Sequence, residues 1–157
     1  MKVLFLDIDG VLNDTAWLRY TATHCSGKRL DDSGYWAYMV NPASVQLLNL
    51  LLDETGAAVV VSSSWRRSIS LETLRHILTS RGLKHKVLDV LPLEDDLNVE
   101  FRGEVIQKWL DKHPEVTHHV CLDDDIDEFM TSYVKTSAYE GGFTLVKYQE
   151  ALKLFLT

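Results

Sequence analysis

Positive charge is in short supply in this 157-residue chain: 16 Lys and Arg stand against 23 Asp and Glu, a formal net charge of −7 with His neutral. That balance excludes broad, non-specific binding to nucleic acid through a basic surface, and leaves room only for a local basic groove. Cysteine is scarce too. Cys25 and Cys121 are too few for a disulfide scaffold. Cys121, inside the apolar run Val120-Cys121-Leu122, reads as a small core residue and not as a nucleophile. No apolar run nears the ~20 residues needed to span a bilayer, so no membrane partner is expected. The opening Val3-Leu4-Phe5-Leu6 is cut off by Asp7, too short for the apolar part of a secretion signal, and a cytoplasmic location follows as the expectation. Repeats, low-complexity tracts and linkers are missing as well, which points to one domain over residues 1–157.

What is present is an alternation of apolar runs and helical periodicities. Continuous apolar runs at 3–6 and 57–61 predict strands buried on both faces. Further strands are expected at 86–91, 118–122 and 143–146. Pro42 opens a helical pattern that Gly56 stops, and Ser70 opens another that Gly82 stops. Helices are also expected at 102–112, 127–133 and 148–156. Such alternation implies an α/β fold: a Rossmann-like three-layer sandwich around a parallel five-stranded sheet. The segment 14–41 reads as a small insertion. In such sheets the ligand lies beyond the carboxyl ends of the strands.

Chemistry gathers at those ends. The first strand runs into Asp7-Ile8-Asp9-Gly10-Val11-Leu12-Asn13, two acids followed by a glycine that permits a turn. The second runs into Ser62-Ser63-Ser64-Trp65-Arg66-Arg67, which suits either a helix cap or a phosphate oxygen. The fourth runs into Asp123-Asp124-Asp125-Ile126-Asp127. Four acids crowded after an apolar run repel one another unless a cation neutralises them, and hard oxygen donors favour Mg²⁺ or Ca²⁺.

Taken in order, Asp7-Ile8-Asp9-Gly10-Val11-Leu12, Ser62, Arg102 at the head of a helix and Asp123-Asp124 resemble the four motifs of the haloacid dehalogenase (HAD) superfamily. The wording around Asp7 and Ser62-Ser63-Ser64-Trp65-Arg66 is similar, more narrowly, to phosphatase domains linked to RNA end repair and to the phosphatase half of phage polynucleotide kinase–phosphatase. The resemblance implies a HAD-like fold and an Mg²⁺-dependent phosphatase. In it, Asp7 is the nucleophile that forms an aspartyl-phosphate, and Asp9 is the general acid and base. It implies metal ligation by Asp7, the Asp9 carbonyl and Asp124, with Asp123 in support. Ser62 and Arg102 would hold the transferring phosphoryl group, while Ser63 and Arg66 would touch substrate. Two places stay open: Lys108 competes with Arg102, because the family usually carries Lys there, and Asp127 competes with Glu128 for a downstream acid that orders the metal's waters. Arg67 is an alternative to Arg66.

The first gap (14–41) and the second (92–100) are too short for a full cap domain, so an open site is expected, suited to a phosphorylated nucleic-acid end or a nucleotide. A kinase or ligase partner in repair would fit such a substrate. Trp17, Tyr20, Tyr35, Trp36 and Tyr38, with Arg19, Lys28 and Arg29, either stack bases and hold phosphates or simply pack the insertion onto the core. The rival readings are a small-nucleotide phosphatase and, from another class, a receiver-like or non-catalytic phosphate-binding module. A receiver needs its acceptor at the end of the third strand, near Asp89, and the acidic turns at Asp7 and Asp123 are misplaced for that.

Overall fold

The structure is a computed structural model that describes residues 1–25 and 32–157; Lys28 and Arg29 lie outside the described residues. Five strands form one all-parallel sheet: β1 (Lys2–Leu6), β2 (Ala58–Val61), β3 (Val87–Val90), β4 (His118–Asp123) and β5 (Tyr133–Lys135), in the spatial order β3-β2-β1-β4-β5. Val3 to Leu6 are fully buried, as the unbroken apolar run requires of a central strand covered on both faces. Each such side chain contributes roughly 1.5–3 kcal/mol by leaving water.

Among the described residues, six helices accompany the sheet: α1 (Thr15–His24), α2 (Asp32–Met39), α3 (Pro42–Thr55), α4 (Leu71–Ser80), α5 (Arg102–Asp111) and α6 (Leu145–Leu156). Their ends follow local chemistry. The Asn41 side chain accepts from Ala43 N ahead of Pro42, Ser70 accepts from Thr73 N, and Glu104 reaches back to Phe101 N. α3 stops at Gly56, whose φ of +65° satisfies a trailing carbonyl without a Cβ penalty.

The two faces of the sheet are covered unequally. Leu4, Leu6, Val59, Val61, Val120 and Leu122 point to the side packed by α3, α4 and α6. Val3, Phe5, Val60 and Cys121 point to the other side, where Val105, Ile106 and Trp109 of α5 cover them. Trp109 meets Phe5 edge-on at 5.5 Å and donates its indole N–H to Asp89 at 3.0 Å. Burial pushes the Cys121 thiol up to about 12, so it is an inert core group, as its sequence context suggests.

Three sequence expectations need correction. Residues 127–133 are not a helix but a turn, because both Asp127 carboxylate oxygens take backbone N–H groups, from Phe129 and from Gly103. The fifth strand is Tyr133–Lys135 and not 143–146. Thr144 instead caps α6, which therefore starts at Leu145 and not at Tyr148. Phe143 reaches the core from a loop held by its N–H on Val11 O. The segment 14–41 supplies α1 and α2, joined where Trp17 Nε1 donates to Tyr38 O. The Arg81 guanidinium lies over the Trp17 and Tyr38 rings at 5.9 and 5.7 Å. Of the insertion's aromatics Trp36 packs against the core, whereas Tyr20 and Tyr35 stay exposed.

Candidate active site

Chain order reverses between β1 and β4: β2 and β3 lie to one side of β1, β4 and β5 to the other. Such a switch point opens a crevice beyond the strand ends. Registry then decides which residues enter it. Phe5 pairs with Val60 on one side and Cys121 on the other. Two residues further along each strand come Asp7, Ser62 and Asp123. With a side-chain period of two they share the face of Phe5, Val60 and Cys121, the face covered by α5. The ladder continues far enough to hold them: Asp7 N donates to Leu122 O at 3.0 Å, and Ser62 N to Leu6 O at 2.9 Å.

Asp7 and Asp123 are 5% and 1% exposed, and Asp124 follows at the surface of the same crevice. One carboxylate oxygen from each of the three lies within 4.8 Å of the others. Two further features hold this concentration of charge together. Arg102, the first residue of α5, sets Nη1 2.5 Å from Asp123 Oδ2 and 3.3 Å from Asp7 Oδ2. Backbone N–H groups take the remaining oxygens: Ile8 N on Asp7 Oδ1 at 2.8 Å, Asp125 N on Asp123 Oδ1 at 3.0 Å. Burial followed by the Asp7 charge raises the Asp123 pKa well above the usual carboxylate range, and Arg102 only partly opposes this. Asp124 is raised for the same two reasons. Burial alone would lower the Arg102 pKa, but Asp123 and Asp7 outweigh it and push it up, fixing a permanent cation.

Gly10, at φ +72°, closes the turn after β1. A Cβ there would overlap the Asp124 carboxylate, with Cγ at 2.6 Å. Gly103, in the first turn of α5, makes room in the same way, since a Cβ on it would collide with Asp127 and with Phe129 Cβ at 2.7 Å. These two glycines let the acidic loop after β4 settle onto β1 and α5.

Asp9 stands at the rim, half-buried, with Trp65 Nε1 donating to its Oδ2 and Asn13 Nδ2 to its Oδ1, both at 3.0 Å. Ser62 is nearly fully buried, with its position set by registry. The structure occupies Ser63 and Arg66 elsewhere. Ser63 is fully buried and its Oγ accepts from Trp65 N. The Arg66 side chain is 2% exposed and braces the loop, donating to Ser62 O, Ser63 O, Pro92 O and Glu94. Arg67, also paired with Glu94, has the exposed guanidinium of the two. Lys108 is exposed on α5, and Asp127 spends its carboxylate on backbone groups. Sequence reasoning misses Trp65 as a partner of Asp9; its signal is a tryptophan directly after the serine cluster. Arg102 also walls a cavity of about 530 Å³ shared with Arg67, Phe101 and Asp125.

Comparison with curated proteins and with solved structures returns no match. A family model does match, that of the HAD domain in Swiss Army Knife RNA repair proteins, over residues 3–146. That span takes in β1 from Val3 onward, the other four strands and every acid of the crevice, and the chain therefore belongs to this family of HAD-like phosphatase domains.

Proposed function

We propose that the protein is an Mg²⁺-dependent phosphomonoester hydrolase that works through an aspartyl-phosphate on Asp7, with nucleic-acid ends or nucleotides as substrates. The observation that carries this reading is the convergence of Asp7, Asp123 and Asp124 within 4.8 Å, with Arg102 beside them, at the switch point of the sheet. The donor set fits a hard divalent cation: three carboxylates, two of them buried, and a glycine whose missing Cβ leaves room for the third. Asp7 and Asp124, with the Asp9 carbonyl, would hold Mg²⁺, and Asp123 would support them. When bound, the cation lowers the repulsion between an anionic nucleophile and an anionic phosphate.

In the first step an Asp7 oxygen attacks phosphorus and the ester P–O bond breaks. The departing alkoxide takes a proton from the Asp9 carboxyl. In the second step the Asp9 carboxylate takes a proton from water while the water oxygen bonds to phosphorus. The Asp7–phosphorus bond breaks, so inorganic phosphate leaves and both acids return to their starting states. Arg102 stabilises charge on the transferring group, and Ser62 binds one of its oxygens.

Among the described residues, the insertion contributes two short helices and the segment before α5 only a 3₁₀ turn at Asp95–Leu97, which leaves the crevice without a full cap domain. An open site favours a large substrate, and the family's description as RNA repair makes a phosphorylated polynucleotide end the favoured one, with a kinase or ligase as a partner in repair. The test is phosphate release with Mg²⁺ from 3′- and 5′-phosphorylated oligonucleotides, the matching mononucleotides and a phosphopeptide. Faster turnover of one oligonucleotide end is the expected result. Preference for the mononucleotides would move the enzyme to nucleotide metabolism, and no release from any of them would overturn the reading.

The electrostatics of Asp123 give a second test, in chelator. Burial and Asp7 hold its folded-state pKa above the ordinary value of about 3.9, so the native protein keeps a proton that the unfolded chain has lost. That contribution is fully present below the unfolded value and is lost as pH rises through the raised one. The melting temperature of the wild type, measured relative to Asp123→Asn, should therefore fall as pH rises from about 4 toward neutrality. A difference that stays flat with pH would show that Arg102 fully compensates the charge.

A further inference from the structure

Asp9 is gripped by two neutral side-chain donors. Trp65 Nε1 donates to Oδ2 and Asn13 Nδ2 to Oδ1, each at 3.0 Å, and Asn13 Oδ1 in turn accepts from Gly10 N at 2.9 Å. Rotation of the carboxylate about its Cβ–Cγ bond would break both bonds at once. Asn13 belongs to the same turn as Asp9, but Trp65 arrives from the neighbouring strand, on the 3₁₀ turn Ser64–Arg67 after β2. It is 3% exposed, and its ring is wedged edge-on against Trp36 of α2, with centroids 4.7 Å apart at 60°. A buried indole N–H needs an acceptor. This one finds it in the carboxylate assigned to proton transfer.

We infer that Trp65 is a positioning residue for proton transfer: its N–H fixes the orientation of the Asp9 carboxyl so that the proton it carries faces the departing alkoxide. Trp36 backs the indole, so the insertion 14–41 reaches the chemistry through a tryptophan pair. The inference rests on Asp9 being the proton donor under the function proposed above. Leaving-group chemistry separates the two. An activated nitrophenyl ester departs without a proton, whereas an alkyl ester needs one, and kcat/KM reports only the steps up to that departure.

The experiment compares kcat/KM for a nitrophenyl phosphate and a primary alkyl phosphate in the wild type, Trp65→Phe, Trp36→Leu and Asp9→Asn. Removing a general acid outright costs about 10²–10⁴-fold. Trp65→Phe, which keeps Asp9 but removes one of its two anchors and leaves only Asn13, should lose about tenfold or more on the alkyl ester and stay within about twofold on the nitrophenyl ester. Trp36→Leu should show a weaker form of the same pattern. Replacing Trp65 by its benzothiophene isostere keeps the shape and removes only the N–H, so the test survives if the Phe variant folds poorly. Equal losses on both esters, or none on either, would overturn the role of Trp65. An Asp9→Asn enzyme whose loss relative to the wild type is no larger on the alkyl ester than on the nitrophenyl ester would overturn the reading of Asp9 itself, and with it the inference.

Discussion

Asp7→Asn should lower phosphate release by at least about 10³-fold while raising the melting temperature of the metal-free protein. The first effect follows from the loss of the attacking anion, because an amide oxygen is a poor nucleophile toward phosphorus. The second follows from the cluster. Asp7 and Asp123 are both nearly fully buried, and burial and the Asp7 charge raise the Asp123 pKa. An Asn at position 7 still accepts from Ile8 N, the bond that Asp7 Oδ1 makes now, and it removes the repulsion. Arg102 keeps its shorter contact, to Asp123. Relief of about 1 kcal/mol corresponds to roughly 2–4 °C in a chain of this size. Thermal melts in chelator and in Mg²⁺ check it, and the stabilisation by Mg²⁺ should shrink in the variant. A lower melting temperature in chelator would mean that the Arg102–Asp7 pair outweighs the repulsion. Activity near that of the wild type would mean that another group attacks phosphorus.

Gly10→Ala should also damage activity, by a smaller factor and without replacing an ionisable group. Two costs combine. At φ +72° an alanine pays a left-handed backbone penalty of about 1–2 kcal/mol. Its Cβ would also overlap the Asp124 carboxylate, with Asp124 Cβ at 2.9 Å, so the loop after β4 must withdraw. Displacement of a reacting or ligating group by about 1 Å costs roughly 10²-fold in rate, and that is the loss expected here. A fall in melting temperature of a few degrees should accompany it. The informative readout is the Mg²⁺ concentration for half-maximal activity, which should rise. An unchanged Mg²⁺ requirement with a lowered melting temperature would show that Gly10 serves only the turn.

Most of this architecture can be read from the chain itself, and the failures have physical causes. Strands β1 and β2 are almost wholly buried, so their signal is an uninterrupted apolar run, and the acids immediately after β1 and β4 mark the switch point. The last strand is misplaced because Tyr133–Lys135 has only Val134 buried between two exposed residues, whereas Phe143-Thr144-Leu145-Val146 looks like a strand. In fact Phe143 is drawn into the core by tertiary packing, and Leu145 and Val146 lie exposed at the start of a helix that Thr144 caps. Arg66 illustrates the limit at the site. A basic residue after the serine cluster looks free to meet a phosphate, and only the folded chain shows Glu94 and three carbonyls claiming its guanidinium. The bond between Trp65 and Asp9 spans 56 positions and obeys no local rule that would announce it.

The unequal cover of the sheet has a consequence for how the site can be altered. On the crowded face α3, α4 and α6 share the load, but on the other α5 works alone among the described helices, and its first residue is Arg102. The helix is therefore a single lever, pinned at one end by Trp109 against Phe5 and Asp89 and at the other by the paired carboxylates. Besides α5, the described helical structure on that face is the short 3₁₀ turn Asp95–Leu97, through Leu97, so a change of volume under Trp109 is expected to pass along the axis to the guanidinium. Residues remote from the crevice can thus tune the position of the Arg102 guanidinium between Asp7 and Asp123.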